Sequence, residues 1–273
     1  MVLPQKGELI GEGRTAQVYA WGPGHVLKLY YDWWPEGNIE YEARTGRAVH
    51  MAGIPSPAVG EIVVVDGRRG LVYERIDGPS MTDLLLAGPG RVEELAHTFA
   101  QLHATMHRPA PGSGLPSQRD NLLRNIDTMP ATLLPATLKE KVLRTIQGLP
   151  GGDAICHGDY HPGNVIMSSR GPVPIDWENA SLGSPAADVA RSALLLETAH
   201  FYLAGAPEYT ALVEGINRFR QLYLQAYCSL TGADPDLIDA WRVPMSAHRL
   251  HEGIAQEEAY LLDIVAHGAS TDL

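Results

Sequence analysis

Cysteine is almost absent from this chain, which has only Cys156 and Cys228 among 273 residues. Two thiols cannot build the disulfide framework of a small secreted protein, and they cannot supply a four-cysteine zinc site. Cys156 ends the apolar run Ala154-Ile155-Cys156, so we expect a buried and reduced side chain there. The chain is long enough to bury a large core without covalent cross-links.

Long hydrophobic runs are absent as well. The most apolar stretch, residues 193–206, is interrupted by Glu197 and His200 and is shorter than a membrane-spanning helix. The first eight residues lack the apolar segment of a secretory signal peptide. We therefore expect a cytoplasmic protein without a membrane partner.

Basic residues are in deficit, with 21 Lys and Arg against 32 Asp and Glu and a net charge of -11. Nucleic acids and anionic membranes bind to basic surfaces, so this excess of acid argues against both as partners. It is compatible with a cationic small molecule, and equally with the ordinary acidity of soluble proteins. No Gly-Lys-Ser/Thr sequence is present, which excludes a Walker-type phosphate loop.

The character of the sequence changes near Gly78. Residues 8–76 alternate in the manner of strands, with the turn 22–24, one helix over 39–51 and a hairpin over 62–74. After Gly78 the apolar residues recur at helical spacing, first over 92–106, where His103 falls on the apolar face as a core histidine. Short strands at 154–157, 164–168 and 173–176 interrupt the helices. We expect an α+β protein with a small β-rich lobe and a larger helical lobe.

The residues with the clearest chemistry lie in His157-Gly158-Asp159-Tyr160-His161-Pro162-Gly163-Asn164 and in Ile175-Asp176-Trp177. An aspartate, an asparagine five positions later and a second aspartate twelve positions further on have the spacing of a phosphoryl-transfer site. In such a site Asp159 orients a substrate hydroxyl, while Asn164 and Asp176 hold magnesium between nucleotide phosphates. These three side chains are the predicted catalytic and metal-binding residues.

A nucleotide site needs a phosphate-binding loop and a cation. Gly11 and Gly13 allow close approach of backbone to phosphate, because glycine has no Cβ to block it. Lys28 lies between apolar neighbours in the strand 25–30, where burial requires an anionic partner. The helix that follows offers Glu40 and Glu42, and we prefer Glu42 because it lies nearer the middle of that helix.

In this order, the motifs resemble those of the aminoglycoside phosphotransferase and choline kinase-like family, which has the bilobal protein-kinase fold. The resemblance runs over about residues 8–195. It implies an N-terminal nucleotide-binding lobe over 1–76 and a C-terminal catalytic and acceptor-binding lobe over 77–273. The expected activity is ATP- and Mg-dependent phosphorylation of a hydroxyl on a small molecule.

The resemblance also assigns roles to individual residues. Asp159 is the expected catalytic base, and His157 and Asp188 are expected to support its loop. Ala16 replaces the third glycine of the protein-kinase loop, a replacement that the resembled family tolerates. The acceptor is expected to border on His161, Glu257 and Glu258, although Glu257 and Glu258 also fit a solvated helix face. The expected ATP-binding residues are Ile10, Gly11, Gly13, Val18, Val26, Lys28, Glu42, Glu74, Arg75 and Ile76.

Three other interpretations compete with this one. His157 and His161 flank Asp159 in a pattern that could bind zinc, although a catalytic zinc usually has three protein ligands. A protein kinase is disfavoured because helix begins within about ten residues of Asp176, leaving no room for a peptide-docking segment. A non-catalytic, pseudokinase-like binding module is disfavoured because all the acidic and basic residues of the chemistry are present.

Overall fold

The N-terminal part of the computed structural model, which describes residues 5–268, is an antiparallel sheet. The ends of the predicted lobes, residues 1–4 and 269–273, lie outside the described residues. In space the strands follow the order β1-β2-β3-β5-β4, so that β3 is central. Their bounds are β1 Lys6–Glu12, β2 Ala16–Trp21, β3 His25–Tyr30, β4 Val59–Val65 and β5 Arg68–Glu74.

Strand β3 alternates as predicted. Leu27 and Leu29 are fully buried in one apolar cluster, whereas Tyr30 belongs to a second cluster on the opposite face of the sheet. That second face packs against helix α1, Glu36–Met51, through Ile39 and Ala43. The helix begins three residues earlier than predicted, because Pro35 fixes an extended backbone before the first turn and Glu36 complements the helix dipole.

The rest of the chain is mainly helical and encloses the largest apolar core. Two antiparallel strand pairs lie inside it: β6 with β9, and β7 with β8. Helices α4 and α5 carried no prediction from the sequence. The bounds are α2 Met81–Leu86, α3 Val92–Met106, α4 Gln118–Thr128, α5 Ala136–Gly148, β6 Ala154–Cys156, β7 Val165–Ser168, β8 Gly171–Pro174, β9 Ser181–Gly183, α6 Pro185–Thr198, α7 Tyr209–Thr231, α8 Pro235–Ala240, α9 Arg242–Leu250 and α10 Ala255–Gly268.

The segment after β5 joins the sheet to the helical part by running along β7. Met167 donates its backbone N–H to Pro79 O at 2.9 Å, and Ser80 bridges to Ile166. Gly78 has a φ of 150°, and a Cβ there would collide with the backbone of Met167. Only glycine fits this crossing. Among residues 5–268, no helix is long and apolar enough to cross a bilayer.

A fully buried carboxylate, Asp188 at the start of α6, holds the 157–164 loop in place. The backbone N–H groups of His157 and Gly158 donate to it at 2.7 and 2.8 Å. The Nε2 atoms of His103 and His107, one turn apart on α3, contact it at 3.0 and 3.1 Å. Burial alone would raise the pKa of Asp188. The hydrogen bonds from His103 and His107 outweigh burial and hold this pKa well below its usual value.

Each of the two histidines is held in turn by a tyrosine of α7. The Nδ1 atoms of His103 and His107 lie 2.7 Å from the hydroxyl groups of Tyr223 and Tyr227. Burial lowers the pKa of His103 to about 3, so this imidazole is assigned as a neutral ring that donates from Nε2 and accepts at Nδ1. The core histidine predicted on the apolar face of α3 is fully satisfied.

This arrangement predicts that the protein loses stability in mild acid. Between about pH 6.5 and 3, the unfolded chain protonates His103 while the folded protein does not. The free energy of unfolding therefore falls as the pH falls, by up to about 1.4 kcal/mol per pH unit for this residue. Urea unfolding at about pH 7, 6 and 5 measures the slope.

Two variants test whether His103 is the source. The fully buried His103→Gln should flatten the slope by nearly one proton, whereas the exposed His97→Gln should leave it as it is. An equal slope in all three proteins would contradict the assignment of a neutral His103.

Candidate active site

The side chain of Lys28, in β3 of the sheet, contacts both helix α1 and the segment after β8. Its Nζ lies 2.8 Å from Glu42 Oε1 and 2.9 Å from Asp176 Oδ1. Burial alone would lower the pKa of Lys28, but the carboxylates of Asp176 and Glu42 outweigh it and hold the pKa well above its usual value. Glu40 pairs with Arg69 instead, so the choice of Glu42 as the partner of Lys28 agrees with the geometry.

Glu42 is almost completely buried, and other groups fix the direction in which its carboxylate points. The hydroxyl groups of Tyr30 and Tyr73 donate to it at 2.8 and 2.6 Å. Because three donors share this carboxylate, it is a fixed anion that holds Lys28 in position. Neither tyrosine was singled out from the sequence, although Tyr30 follows Lys28 on the same face of β3.

Asp159 and Asn164 lie together in the 157–164 loop. The Asn164 Nδ2 group donates to the backbone O of Asp159 at 3.0 Å and to its Oδ2 at 3.3 Å. The guanidinium of Arg191 lies 3.6 Å from Asp159 Oδ1, and His161 Nε2 lies 3.7 Å from Oδ2. Ile175 N donates to Asn164 O at 2.9 Å, which brings the residue before Asp176 against the same loop.

Asp176 has a left-handed backbone, with φ 64° and ψ 63°, which is uncommon for a residue other than glycine. Such strain persists where the surroundings impose it, and it is frequent at functional sites. Burial raises the pKa of Asp176, but the adjacent Lys28 more than reverses this and keeps the pKa below its usual value. The predicted strand 173–176 ends at Pro174 because of this turn in the chain.

Glu178 completes an acidic group that the sequence did not suggest. Oxygen atoms of Glu42, Asp176 and Glu178 all lie within 4.8 Å of one another. Burial, followed by the charge of Asp176, raises the pKa of Glu178 to about 8. Its position two residues after Asp176 is the only sequence signal that could have identified it.

The glycines of the N-terminal motif lie at the open edge of the sheet. Ile10 and Gly11 belong to β1 rather than to a loop before the first strand pair, and Gly13 begins the turn to β2. A Cβ on Gly11 would meet no atom within 4 Å, and one on Gly13 would meet only Ala16 O at 3.7 Å. Neither glycine has a positive φ. Packing and backbone conformation therefore do not require glycine at these positions.

The strand register aligns the predicted nucleotide residues across the sheet. Gly11 pairs with Val18, and Val18 pairs with Lys28, so these three share one face. Val26 pairs with Ala20 on one side and Tyr73 on the other.

At the end of β5 and directly after it, the side chains of Glu74 and Arg75 are engaged elsewhere, with Arg170 at 2.8 Å and Asp77 at 2.7 Å respectively. The backbone N–H groups of Glu74 and Arg75 donate to Ala58 O and Gly24 O, both at 2.9 Å. The Ile76 N–H has no acceptor among residues 5–268. Of these three N–H groups, that of Ile76 is therefore the one available to a ligand.

His157 and His161 have separate surroundings. The His157 Nε2 contacts Ile175 O at 3.0 Å, its Nδ1 accepts from Asp159 N at 3.2 Å, and the ring packs on Trp177. Both of its nitrogens are engaged, which argues against the zinc interpretation. The His161 Nδ1 accepts from Gly163 N at 3.1 Å, and its Nε2 faces Asp159 beside a large cavity.

The cavity next to Asp159 has a volume of about 630 Å³. Helices α2, α6 and α7 surround it, and the 159–162 segment forms its floor. Glu257 and Glu258 do not line it. The expectation of a solvated helix face is wrong for Glu257, which is fully buried and pairs with Arg249 at 2.7 Å, while Glu258 is exposed.

A chain of ion pairs, which the sequence analysis missed, runs from the floor of the cavity to its wall. Arg191, beside Asp159, pairs with Glu252, and Glu252 also pairs with Arg249. Arg249 then binds Glu257 in a two-point contact at 2.7 and 2.8 Å. These partners come from α6, α9, α10 and the turn between α9 and α10. No single stretch of sequence could therefore reveal this series of ion pairs.

Solved structures share this fold over nearly the whole chain. The choline kinase LicA from Streptococcus pneumoniae is 13% identical, with a TM-score of 0.61 over 99% of this chain and 94% of that one. The streptomycin–ATP–APH(2")-IIa ternary complex is 14% identical, with a TM-score of 0.59 over 95% of this chain and 90% of that one. At these identities the likeness establishes the bilobal kinase-like fold.

Comparison of sequences identifies the family of the chain in addition to its fold. The mouse (Mus musculus) protein acyl-CoA dehydrogenase family member 10 is 28% identical over 230 residues, which cover 76% of this chain. The matched region covers 21% of that relative, so the chain spans about a fifth of its length. The sequence pattern described as the phosphotransferase enzyme family matches residues 6–242. With most of its residues inside that match, and with Lys28, Asp159 and Asp176 gathered at one cleft, the chain belongs to the phosphotransferase enzyme family.

Proposed function

We propose that the protein transfers the terminal phosphoryl group of ATP, in the presence of Mg²⁺, to a hydroxyl group of a small molecule. The observation that carries this proposal is the position of Lys28, which bridges Glu42 and Asp176, while Asp159 and Asn164 lie beside Asp176. A cation, a metal-binding carboxylate and a proton acceptor are the groups that phosphoryl transfer requires.

The nucleotide fits the face of the sheet that carries Gly11, Val18 and Lys28. Lys28 would contact the phosphates, with Glu42 fixing its direction. The open space around Gly11 leaves room for phosphate oxygens to approach the backbone. The free Ile76 N–H is suited to a ring nitrogen of adenine. The APH(2")-IIa structure was solved as a complex with streptomycin and ATP, which supports ATP as the donor here.

The donor set near Asp176 fits magnesium, which prefers oxygen ligands and few of them. Asp176, Asn164 and Glu178 are the residues that would hold it. The carboxylates of Asp176 and Glu178 lie close to Lys28, and Asn164 accepts from the backbone N–H of Ile175, the residue before Asp176. A magnesium ion held there would supply positive charge that offsets the charge developing on the phosphate oxygens. The strained backbone of Asp176 keeps its carboxylate aimed at this place.

Asp159 is proposed to accept the proton that the acceptor hydroxyl loses as its oxygen bonds to phosphorus and the bond to the ADP oxygen breaks. Asn164 and Arg191 approach its two carboxylate oxygens from different sides and fix its orientation. Positioning and electrostatics therefore supply most of the rate enhancement, as in related phosphoryl transfers.

A small acceptor is favoured over a protein. Helix α6 begins at Pro185, nine positions after Asp176, and the intervening residues form a short turn and strand β9. This leaves no extended segment on which a peptide could dock. The cavity beside Asp159 has the size of pockets that bind drug-sized molecules. A pseudokinase-like binding module is disfavoured because Lys28, Asp159 and Asp176 are all present and oriented.

Replacing the proposed base tests the catalytic role. Asp159→Asn should lower kcat by roughly a thousandfold or more, because the amide cannot accept the proton. The affinity for ATP should stay within about twofold, since Asp159 lies on the acceptor side of the phosphates. Steady-state kinetics and calorimetry measure the two effects. The exposed Asp77→Asn is the matched control, and undiminished turnover in Asp159→Asn would remove the residue from its role.

Replacing the proposed metal ligand tests the second role. Asp176→Ala should abolish the gain in affinity that Mg²⁺ gives to a non-hydrolysable ATP analogue, because the carboxylate that holds the ion is lost. Titration calorimetry with Mg²⁺ and with EDTA gives the difference. The exposed Asp263→Ala should behave like the unmodified protein. An Mg²⁺ effect of the same size in Asp176→Ala would contradict the assignment.

The glycine motif gives a third test. Gly11→Ala should leave the melting temperature unchanged or slightly higher, because the added methyl group meets no protein atom. The KM for ATP should nevertheless rise about tenfold, corresponding to roughly 1.4 kcal/mol of lost binding. Gly37→Ala, where a methyl group also meets no atom, is the control and should change neither quantity appreciably. An unchanged KM in Gly11→Ala would separate this strand from the nucleotide.

A further inference from the structure

We infer that the acceptor is an alcohol with a predominantly apolar body rather than a polycation, bound in the cavity beside Asp159. This inference rests on the proposed function, because it identifies the molecule whose hydroxyl group would meet Asp159. It narrows the open class of small-molecule acceptors to one kind of chemistry.

The wall of the cavity is mostly hydrocarbon. Side chains from four helices form it, including Leu85 of α2, Leu195 and Leu196 of α6, and Leu212, Ile216 and Phe219 of α7. The polar groups of Asp159 and His161 lie together at the floor. A molecule inside would therefore place a hydroxyl group at the floor and its remaining surface against aliphatic and aromatic side chains.

Few free charges face the interior. Among the residues that the structure describes, the acidic side chains lining the cavity are Asp159 at the floor and Glu208, an exposed residue before α7. Arg249 is the one guanidinium in this lining, and Glu252 and Glu257 neutralise it from behind. Tyr202, also in the wall, donates its hydroxyl group to Glu257. Glu252 and Glu257 are thus bound to arginine, which leaves Asp159 and the exposed Glu208 as the carboxylates that a cation could meet in this lining.

This distribution of charge discriminates between acceptor classes. A molecule with several ammonium groups would leave water for a surface that offers two carboxylates, one of them the proposed proton acceptor Asp159. Each further charge buried without a partner is costly. An apolar molecule gains free energy with each methylene group that it buries against the leucines. The cavity therefore favours hydrocarbon and disfavours polycations.

The net charge of -11 does not change this conclusion. Charge on the outer surface attracts cations over distances that salt screens within about 10 Å. Inside the cavity, the specific contacts decide which ligand stays bound. Among the described residues, a polycationic acceptor would meet only Asp159 and the exposed Glu208 as carboxylates in this lining.

Equilibrium binding without nucleotide tests the inference directly. The probes are a series of 2-alkanols from 2-butanol to 2-decanol and the polycationic aminoglycoside kanamycin, each titrated against the full-length protein. We expect the Kd of the alcohols to fall about fourfold per added methylene until the cavity is filled. A Kd that does not depend on chain length, or tighter binding of kanamycin than of 2-decanol, would overturn the inference.

Charge variants in the wall locate the binding to this cavity. Leu212→Asp should weaken 2-decanol binding about tenfold more than Leu212→Asn, a variant of nearly the same size and shape without the charge. Leu230→Asp, an exposed position further along α7, should bind like the unmodified protein. Equal affinity in all four proteins would show that the alcohol binds elsewhere and would also overturn the inference.

Phosphate transfer is measured separately, with γ-labelled ATP and the same compounds. Chain-length-dependent binding without transfer to any compound would count against the proposed function while upholding the apolar ligand class. Transfer to kanamycin with a higher kcat/KM than to every alcohol would uphold the phosphotransfer and refute the apolar acceptor.

Discussion

The fully buried carboxylate of Asp188 fixes the path of the loop that carries Asp159. An isolated charge in a protein interior is unstable, and it persists here because four donors surround it: two backbone N–H groups and the imidazoles of His103 and His107. The backbone donors belong to His157 and Gly158, directly before Asp159. The path of the catalytic loop is therefore tied to the packing of α3, α6 and α7, and the loop shares the rigidity of the core.

The parts of the site that follow a local pattern could be predicted from the sequence. Because side chains alternate along β3, Lys28 points to the face of the sheet away from the leucines of the same strand. The buried position of Lys28 required an anionic partner such as Glu42. The spacing of Asp159, Asn164 and Asp176 identified three groups that the structure brings to one cleft. The division into a sheet and a helical part followed from the change of hydrophobic period, since periods of two and of 3.6 residues are hard to confuse over long segments.

The remaining parts depend on contacts between distant elements, which leave no periodic trace. Arg191 and Glu252 are 61 positions apart, and their pairing could not be read from either segment alone. Glu257 resembled one charge among several on a polar helix face, but Arg249 of the preceding helix draws it into the interior. The apolar character of the cavity was equally hidden, because its helical leucines come from three helices, α2, α6 and α7, and each also fits an ordinary core position.

The short connection between Asp176 and α6 has a consequence for control of the enzyme. A regulatory segment must be able to move away from the catalytic groups and back again. Such movement requires a long segment with a second stable conformation. Here a single turn leads into β9, which pairs with β6, and α6 begins directly after β9. For the proposed reaction, Lys28, Asp159 and Asp176 therefore already lie together without any movement of this segment, and we expect turnover to require no covalent modification of it.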